Sequence, residues 1–321
     1  MAQPAQQQKT EEPVTGTAFL QSIRGLSPAQ IETRVYQQVV AGNIPDFMRR
    51  NFFRPITVEM QTGGRRIQAT FRVASDYIAI GTNGDYVRVP LNPLTAQRIA
   101  AHLGCVLPTA RIVDLIDAES KRTGSYLPFH AAPSIARRVT DPDSGKPVSA
   151  RWNTQKYGYY EGTWMRTIDF FAEQSVMVDE SRSKLADPNG VLSGHKKDVV
   201  YHPEAEARHN VAIYHDGIQG LNYVTHENTY QDYSHGVRLI DSNVSVTITE
   251  PDGSQRTETI SMATILSGSG NAPYNKMYQL FSPITMDISR IYQPAPQARA
   301  APRPARQAVP RKKTIDLGEL N

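Results

Sequence analysis

The sequence predicts an α+β protein in which helices and antiparallel strands occupy separate stretches of the chain. Short alternating runs of apolar and polar residues flank four glycine-containing turn signals, a pattern typical of β-hairpins: Gly63–Gly64, Asn83–Gly84, Asp216–Gly217 and Asp252–Gly253. Helical periodicity falls between these hairpins and does not alternate with single strands. The two glycine-rich phosphate-loop patterns, G-x-G-x-x-G and G-x-x-x-x-G-K-[ST], are absent. We therefore expect no doubly wound nucleotide-binding fold.

The chain divides by composition into three parts. Residues 1–15 are rich in Gln, Pro and Glu and are predicted to be disordered, residues 16–292 to form a single α+β domain, and residues 293–321 to be a tail rich in Pro, Ala and Arg. The tail holds six basic and two acidic residues, which account for the whole net charge of +4. A body without net charge gives no strong signal for nucleic-acid binding.

Two amphipathic helices open the predicted domain. The first is expected at 17–25, where a glycine stops it, and the second at 27–42. Ser27 suits the N-cap of the second helix, because its hydroxyl can accept a hydrogen bond from the first turn, and Pro28 suits the first helical position. A short helical turn is expected at 44–50.

The later elements are predicted in blocks. The region 55–90 indicates a β-meander of four strands. Helices are predicted at 95–103, from Pro108–Thr109 onward, and at 164–178. Further strands are predicted at 197–201, 212–214, 219–225, 237–240, 244–249 and 256–260, followed by a last helix at 274–281.

The eleven residues 226–236, HENTYQDYSHG, contain no aliphatic side chain, although strands are predicted on both sides of them. Loops held by rigid strands are where binding and catalytic groups often lie. A solvated hairpin loop would explain the composition equally well. The segment is nevertheless the first candidate for a functional site.

The first chemical hypothesis pairs Cys105, the only cysteine, with His235. Cys105 lies just before a predicted helix start, where the helix dipole favours a thiolate nucleophile, and His235 at the start of a strand would act as its general base. Asp232 or Asn222 would orient the imidazole. The alternative is an inert core thiol, since Cys105 lies between two leucines. A nucleophilic Cys105 should react with iodoacetamide faster than a free thiol does.

A cysteine in a helical region, followed much later by a histidine on a strand, is similar in order to papain-like and NlpC/P60-like cysteine peptidases. This topological resemblance implies a cysteine-dependent amidase or peptidase, with cell-wall peptide as a substrate by analogy and no cofactor. The D-C-[SG] surroundings usual in NlpC/P60 enzymes are replaced here by L-G-C-V-L. Lys196, Lys197 and His226 are the residues expected to contact an anionic substrate.

A divalent metal site is the alternative chemistry. Six of the eight histidines fall between residues 195 and 235, with carboxylates among them. Imidazole and carboxylate groups suit zinc or a similar ion. No H-E-x-x-H or other fixed ligand spacing occurs, so the sequence assigns no metal ligand. A metal-dependent hydrolase stays an alternative function.

Several segments together resemble a family of uncharacterised bacterial proteins: L-G-C-V-L-P-T at 103–109, H-K-K-D-V-V at 195–200 and D-Y-S-H-G-V-R-L-I at 232–240. The resemblance spans about residues 17–265. It implies one extended domain and gives weight to 95–113 and 195–241 as site regions. It implies no particular reaction.

The tail contains a short apolar segment, I-D-L-G-E-L, with three aliphatic residues: Ile315, Leu317 and Leu320. A Pro-rich tether before apolar anchors is how a docking peptide is displayed to a partner. The segment is similar to the cargo-loading peptides of encapsulin shells. This similarity implies a second function class, a non-enzymatic structural or cargo protein of a larger assembly.

The sequence contains no apolar run of membrane-spanning length, and its N-terminus lacks the charged-then-apolar pattern of a signal peptide. We therefore expect no membrane partner and a protein that is cytoplasmic at synthesis. Packaging in an assembly and export by a specialised route are the alternatives.

Overall fold

A computed structural model describes residues 13–128, 164–201, 212–214, 231, 235–286 and 288, with the backbone alone for 164–170 and 212–214. These residues form an α+β fold, as the sequence predicts. The helices are α1 Gly16–Ile23, α2 Pro28–Val40, α3 Pro93–His102, α4 Ala110–Thr123, α5 Trp164–Arg182 and α6 Met262–Ser267, with 3-10 turns at Asp46–Met48, Arg50–Phe52 and Tyr274–Leu280. None of the helices described is both long and apolar enough to cross a bilayer.

Eleven strands are described in the same part of the chain. In order they are β1 Arg54–Thr62, β2 Arg65–Val73, β3 Ala79–Gly81, β4 Tyr86–Arg88, β5 Cys105–Val106, β6 Lys197–Val200, β7 Ala212–Tyr214, β8 His235–Gly236, β9 Ile240–Asp241, β10 Asn243–Thr249 and β11 Gln255–Ser261. The two long hairpins predicted from sequence are present as β1–β2 and β10–β11.

The helix starts follow the local capping rules. The Ser27 hydroxyl accepts a hydrogen bond from the Gln30 N–H, and the Gln30 side chain accepts one from the Ser27 N–H, which makes a capping box. Thr109 caps α4 by accepting a hydrogen bond from the Ile112 N–H. The N-terminal helices bury most of the apolar stripe that their periodicity predicts, namely Phe19, Ile23, Ile31, Val35 and Val39, whereas Leu20 of the same stripe is half-buried.

Strand β2 is the centre of a six-stranded antiparallel sheet. Along one edge it pairs with β1 over its full length. Its other edge pairs with β10 over residues 66–70 and with β9 at Val73, and β9 in turn pairs with β5. The sheet therefore joins strands from both ends of the described chain.

The hairpin predicted around Asn83–Gly84 is confirmed as β3–β4, but the prediction that all four strands of 55–90 form one meander is wrong. Strands β3 and β4 pair with each other in a separate two-stranded sheet. Between β2 and β3 the backbone turns to the C-terminal half: the Ala74 N–H donates to the Leu239 carbonyl at 2.9 Å, and the Ile78 N–H donates to the Val237 carbonyl at 2.9 Å. The polar pair Ser75 and Asp76 interrupts the alternation of apolar and polar residues directly after β2. At this point the chain leaves the central sheet.

A third sheet has the order β7–β6–β8, in which β6 and β8 run parallel. It pairs Lys197 with His235 and Asp198 with Gly236. The predicted strand 237–240 is shorter than expected, because residues 237–239 lie outside regular strands and only Ile240 enters β9. Segments 74–78 and 237–239 lie side by side through the backbone hydrogen bonds of Ala74 and Ile78.

One contiguous apolar core extends over the fold, from Phe19 in α1 to Ile288. It includes residues of the central sheet, of the helices α3 and α4 and of the C-terminal 3-10 turn, and Cys105 belongs to it. Helix α5 packs against β4. This packing brings α5 over the junction of segments 74–78 and 237–239.

Candidate functional site

Six polar side chains meet where segments 74–78 and 237–239 lie beside the start of β6. We call them the Tyr77 cluster: Asp76, Tyr77, Arg88, His195, Asp198 and Arg238. Each residue is at most 4% exposed. Burial of so many ionisable groups together is unusual, because an ionised group loses its hydration in the interior and must bind protein partners instead.

Asp76 is the acidic centre of the cluster. Arg88 donates to its Oδ2 from Nη2 at 2.6 Å and from Nε at 3.1 Å, and Arg182 donates to the same oxygen at 3.2 Å. Burial alone would raise the pKa of Asp76, but Arg88 and His195 outweigh it and hold that pKa well below its usual range. Arg88 also donates to Asp179 on α5 at 2.8 Å. These bonds hold α5 over the cluster.

His195 has an asymmetric environment. Its Nε2 faces Asp76 Oδ1 at 3.5 Å, and neither Nε2 nor Nδ1, both buried, has a hydrogen-bond partner in the part of the chain described. Burial lowers the pKa of His195 to about 4, against the opposing effect of Asp76, so the imidazole is neutral at pH 7. A neutral imidazole facing a carboxylate at one nitrogen can accept a proton or bind a ligand at the other.

Tyr77 links the other members. Its hydroxyl donates to Asp198 Oδ2 at 2.8 Å, and its ring lies 4.9 Å from the His195 ring between centroids. The Arg238 guanidinium lies 4.0 Å from the Tyr77 ring centroid. Burial and the neighbouring Asp198 raise the pKa of Tyr77 well above its usual value, so the phenol keeps its proton.

Arg238 is held by the backbone. Its Nη1 donates to the Ala74 carbonyl at 3.1 Å and its Nη2 to the Leu192 carbonyl at 2.5 Å. The third donor, Nε, is buried without a hydrogen-bond partner among the described residues. An unpaired buried donor costs free energy, so its presence beside His195 and Tyr77 is a further sign of a site.

Glycine is required at one wall of the cluster. A Cβ added to Gly236 would lie 2.6 Å from Tyr77 Cδ1 and 2.8 Å from Lys196 Cβ. The glycine in the D-Y-S-H-G segment therefore lets β8 approach Tyr77 closely. His235, the residue before it, is buried and pairs in register with Lys197.

The two lysines expected to contact a substrate differ in environment. Lys196 is 8% exposed and donates a hydrogen bond to Gln174 Oε1 on α5, whereas Lys197 is half-buried. Lys196 therefore lies beside the Tyr77 cluster, and Lys197 lies further out on β6.

Cys105 and His235 belong to different sheets of the fold. Cys105 belongs to β5 in the central sheet, opposite Asp241, whereas His235 belongs to the three-stranded sheet. Burial, with a smaller contribution from Asp241, raises the pKa of Cys105 to about 12 although Arg50 opposes the shift. A nucleophilic cysteine needs a lowered pKa and access to solvent. The environment of Cys105 instead favours the alternative that it is a core thiol.

Several predicted residues lie outside the described part of the chain. They are Asn222, His226 and Asp232 of the polar segment, the strand predicted at 219–225, and Ile315, Leu317 and Leu320 of the tail. Within the described residues no three His, Cys, Asp or Glu side chains are grouped so that they could hold a metal ion. Four of the six histidines of the metal hypothesis also lie outside: His202, His209, His215 and His226.

Sequence reasoning missed the residues contributed by the first half of the cluster. Asp76, Tyr77 and Arg88 lie some 110 residues before β6, and no fixed-spacing motif connects them. One signal was present: an arginine alternates with apolar residues in Y-V-R-V-P, at a position where β4 is buried. A charged side chain at a buried strand position indicates a buried partner.

Comparison of the chain with protein families, with curated proteins and with solved structures finds no match.

Proposed function

We propose that this protein is a hydrolase of amide or peptide bonds whose reactive groups are those of the Tyr77 cluster. One observation carries the proposal: His195 is a buried, neutral imidazole whose Nε2 faces Asp76 at 3.5 Å, and neither ring nitrogen has a hydrogen-bond partner among the described residues. Buried groups with perturbed pKa values around such a histidine are typical of catalytic sites.

The chemistry follows from these groups. His195 Nδ1 takes a proton from a water molecule, whose oxygen attacks the carbonyl carbon of the substrate. The Arg238 Nε–H is a donor for the negative charge that develops on the carbonyl oxygen. The carbon–nitrogen bond then breaks, and the proton held by His195 passes to the leaving amine. Asp76 keeps the imidazole oriented throughout, as carboxylates do for other general-base histidines.

This proposal keeps the hydrolase class predicted from sequence and moves its base from His235 to His195. The raised pKa and the burial of Cys105 do not support a thiolate nucleophile. Labelling distinguishes the two mechanisms. We expect iodoacetamide to modify Cys105 at neutral pH only after denaturation. Fast labelling of the folded chain, with loss of hydrolysis, would return the nucleophile to Cys105.

The test of the proposal is hydrolysis by the full chain of bacterial cell-wall peptide and of a panel of peptides, measured as newly released amino groups. We expect His195→Gln to lower the rate about 100-fold or more. Its matched control is His102→Gln on α3, because His102 contacts the Tyr36 ring, outside the cluster. The rate of the wild-type chain should fall as the pH drops toward about 4, where His195 gains a proton.

The result that would overturn the proposal is equal hydrolysis by the wild-type chain and by a folded His195→Gln variant. Absence of hydrolysis throughout the panel would do the same. Circular dichroism and the melting temperature establish folding of each variant. Since His195 is buried, His195→Asn serves as a second variant if the glutamine does not fit.

A further inference from the structure

A second feature lies beside β11, the strand at the end of the central sheet. A pocket of about 400 Å³ opens between β11 and the C-terminal helical turns. Ile260, Ile265 and Met277 give it an apolar interior, and Glu258, Thr264 and Tyr274 lie around it. Its volume is in the range of ligand pockets, roughly 300–1,000 Å³.

The strand beside the pocket has an open edge. β11 ends the strand order of the central sheet, so its outer edge pairs with no other described strand. Glu258 and Ile260 are two residues apart on β11 and both line the pocket, which places the pocket on one face of that edge. A peptide added as a strand along the edge would place alternate side chains over the pocket.

The chain itself supplies a segment of this kind. Ile315 and Leu317 are two residues apart, Asp316 alternates with them, and Leu320 follows Gly318. In an extended conformation Ile315 and Leu317 point to the same side. Lys312 and Lys313 precede them, on the side of the segment towards the tether.

The position from which the chain leaves the described fold favours this occupant. The Met286 N–H donates to the Leu266 carbonyl at 2.7 Å, so the chain is held against α6, whose residues Thr264 and Ile265 line the pocket. The stretch from residue 289 to 314 could span at most roughly 90 Å when extended, far more than the distance required. Tethering also raises the local peptide concentration to the millimolar range, about enough to retain a weak ligand.

We propose that residues 315–320 dock on their own chain along the open edge of β11, with Ile315 and Leu317 in the pocket. This inference is independent of the proposed hydrolysis, because none of the pocket residues belongs to the Tyr77 cluster. It gives the apolar segment an intrachain partner in place of an external assembly.

The test is photo-cross-linking in the full chain with p-benzoylphenylalanine at Leu317. We expect cross-links to residues 258–277 of the same molecule, mapped by mass spectrometry. The same probe at Gln307 in the Pro-rich stretch is the position control and should not select this region. A mixture of isotope-labelled and unlabelled chains distinguishes links within one molecule from links between two.

Substitutions on β11 sharpen the test. Ile260→Asp should lower the cross-link yield about tenfold, because it puts a charge in the apolar pocket. Thr259→Asp is the matched control, since its side chain lies on the opposite face of the same strand and is exposed. Thr264→Glu, at an exposed position, replaces Ile260→Asp if that variant does not fold.

Three outcomes would overturn the inference. The first is cross-links scattered over the surface, the second is an unchanged yield in a folded Ile260→Asp chain, and the third is cross-links formed only between molecules. The third outcome would assign the pocket to the segment of a second copy.

Discussion

Two buried carboxyl groups show how neighbouring residues determine the pKa of a single side chain. Asp76 is surrounded by arginine donors and stays ionised, with a pKa held well below its usual range. Glu32 on α2 receives hydrogen bonds from the Asn92 N–H and from Thr95, and burial raises its pKa to about 7. The same loss of hydration acts on both, and only Asp76 has cations close enough to outweigh it.

The first prediction concerns the pH dependence that Glu32 confers. Because its folded pKa lies above its usual 4.5, stability is lost as the pH rises from about 4.5 to about 7. Above that window the charged form costs on the order of 3 kcal/mol. Glu32→Gln should therefore unfold at higher urea concentration than wild type at pH 8 and at a similar concentration at pH 4.5.

The control for this prediction is Glu180→Gln at an exposed position on α5. It should shift the urea unfolding curves at pH 8 and at pH 4.5 equally and slightly. A wild-type chain whose stability does not fall between pH 4.5 and 7, relative to Glu32→Gln, would contradict the raised pKa of Glu32.

At the scale of elements, helix caps hold α4 both to its own first turn and to the end of the fold. The Thr109 hydroxyl accepts from the Ile112 N–H and donates to the Phe281 carbonyl. Both partners are buried. The helix start at Pro108–Thr109 was predicted from sequence, whereas the bond to Phe281 depends on tertiary packing over 172 positions of sequence separation.

The element-scale prediction is that Thr109→Val destabilises the protein by about 2 kcal/mol or more, because valine keeps the shape and leaves two buried groups unpaired. Thr109→Ser is the matched control. It retains the hydroxyl and loses one methyl group, for about 1 kcal/mol. Urea denaturation measures both values, and a serine variant no more stable than the valine variant would refute the role of the hydroxyl.

At the scale of the whole molecule, the central sheet couples the two ends of the described chain. Ile248 on β10 pairs in register with Ile67 on β2, and both are fully buried. Since β2 also pairs with β1, an opening of the β10 contact should loosen strands that are far away in sequence. The contiguous core points to the same cooperativity.

The whole-molecule prediction is that Ile248→Ala costs about 2–5 kcal/mol and lowers amide-exchange protection in β1 and β2 as well as in β10 and β11. Thr247→Ala, which alters the opposite face of β10, is the control and should have a smaller effect. Loss of protection confined to the C-terminal hairpin would show that the two halves unfold separately.

The sequence by itself determined the elements whose signals are local. The α1 and α2 stripes, the cap at Ser27, the start of α4 and the hairpins β1–β2 and β10–β11 follow from periodicity and turn chemistry within about 20 residues. These features were predictable because neighbouring residues fix them. The α+β class follows from their arrangement along the chain.

Only the tertiary structure decided which polar groups meet. His195 was visible as one of many histidines, but its partner Asp76 is 119 positions away and carries no motif. The position of Cys105 before a helix start suggested a lowered pKa and a reactive thiolate. Burial has the opposite effect and raises its pKa to about 12. Desolvation and ion pairing depend on distances across the fold, which local sequence patterns do not encode. The candidate site is therefore defined by tertiary packing, whereas most of the helices and hairpins that position it could be predicted from the sequence.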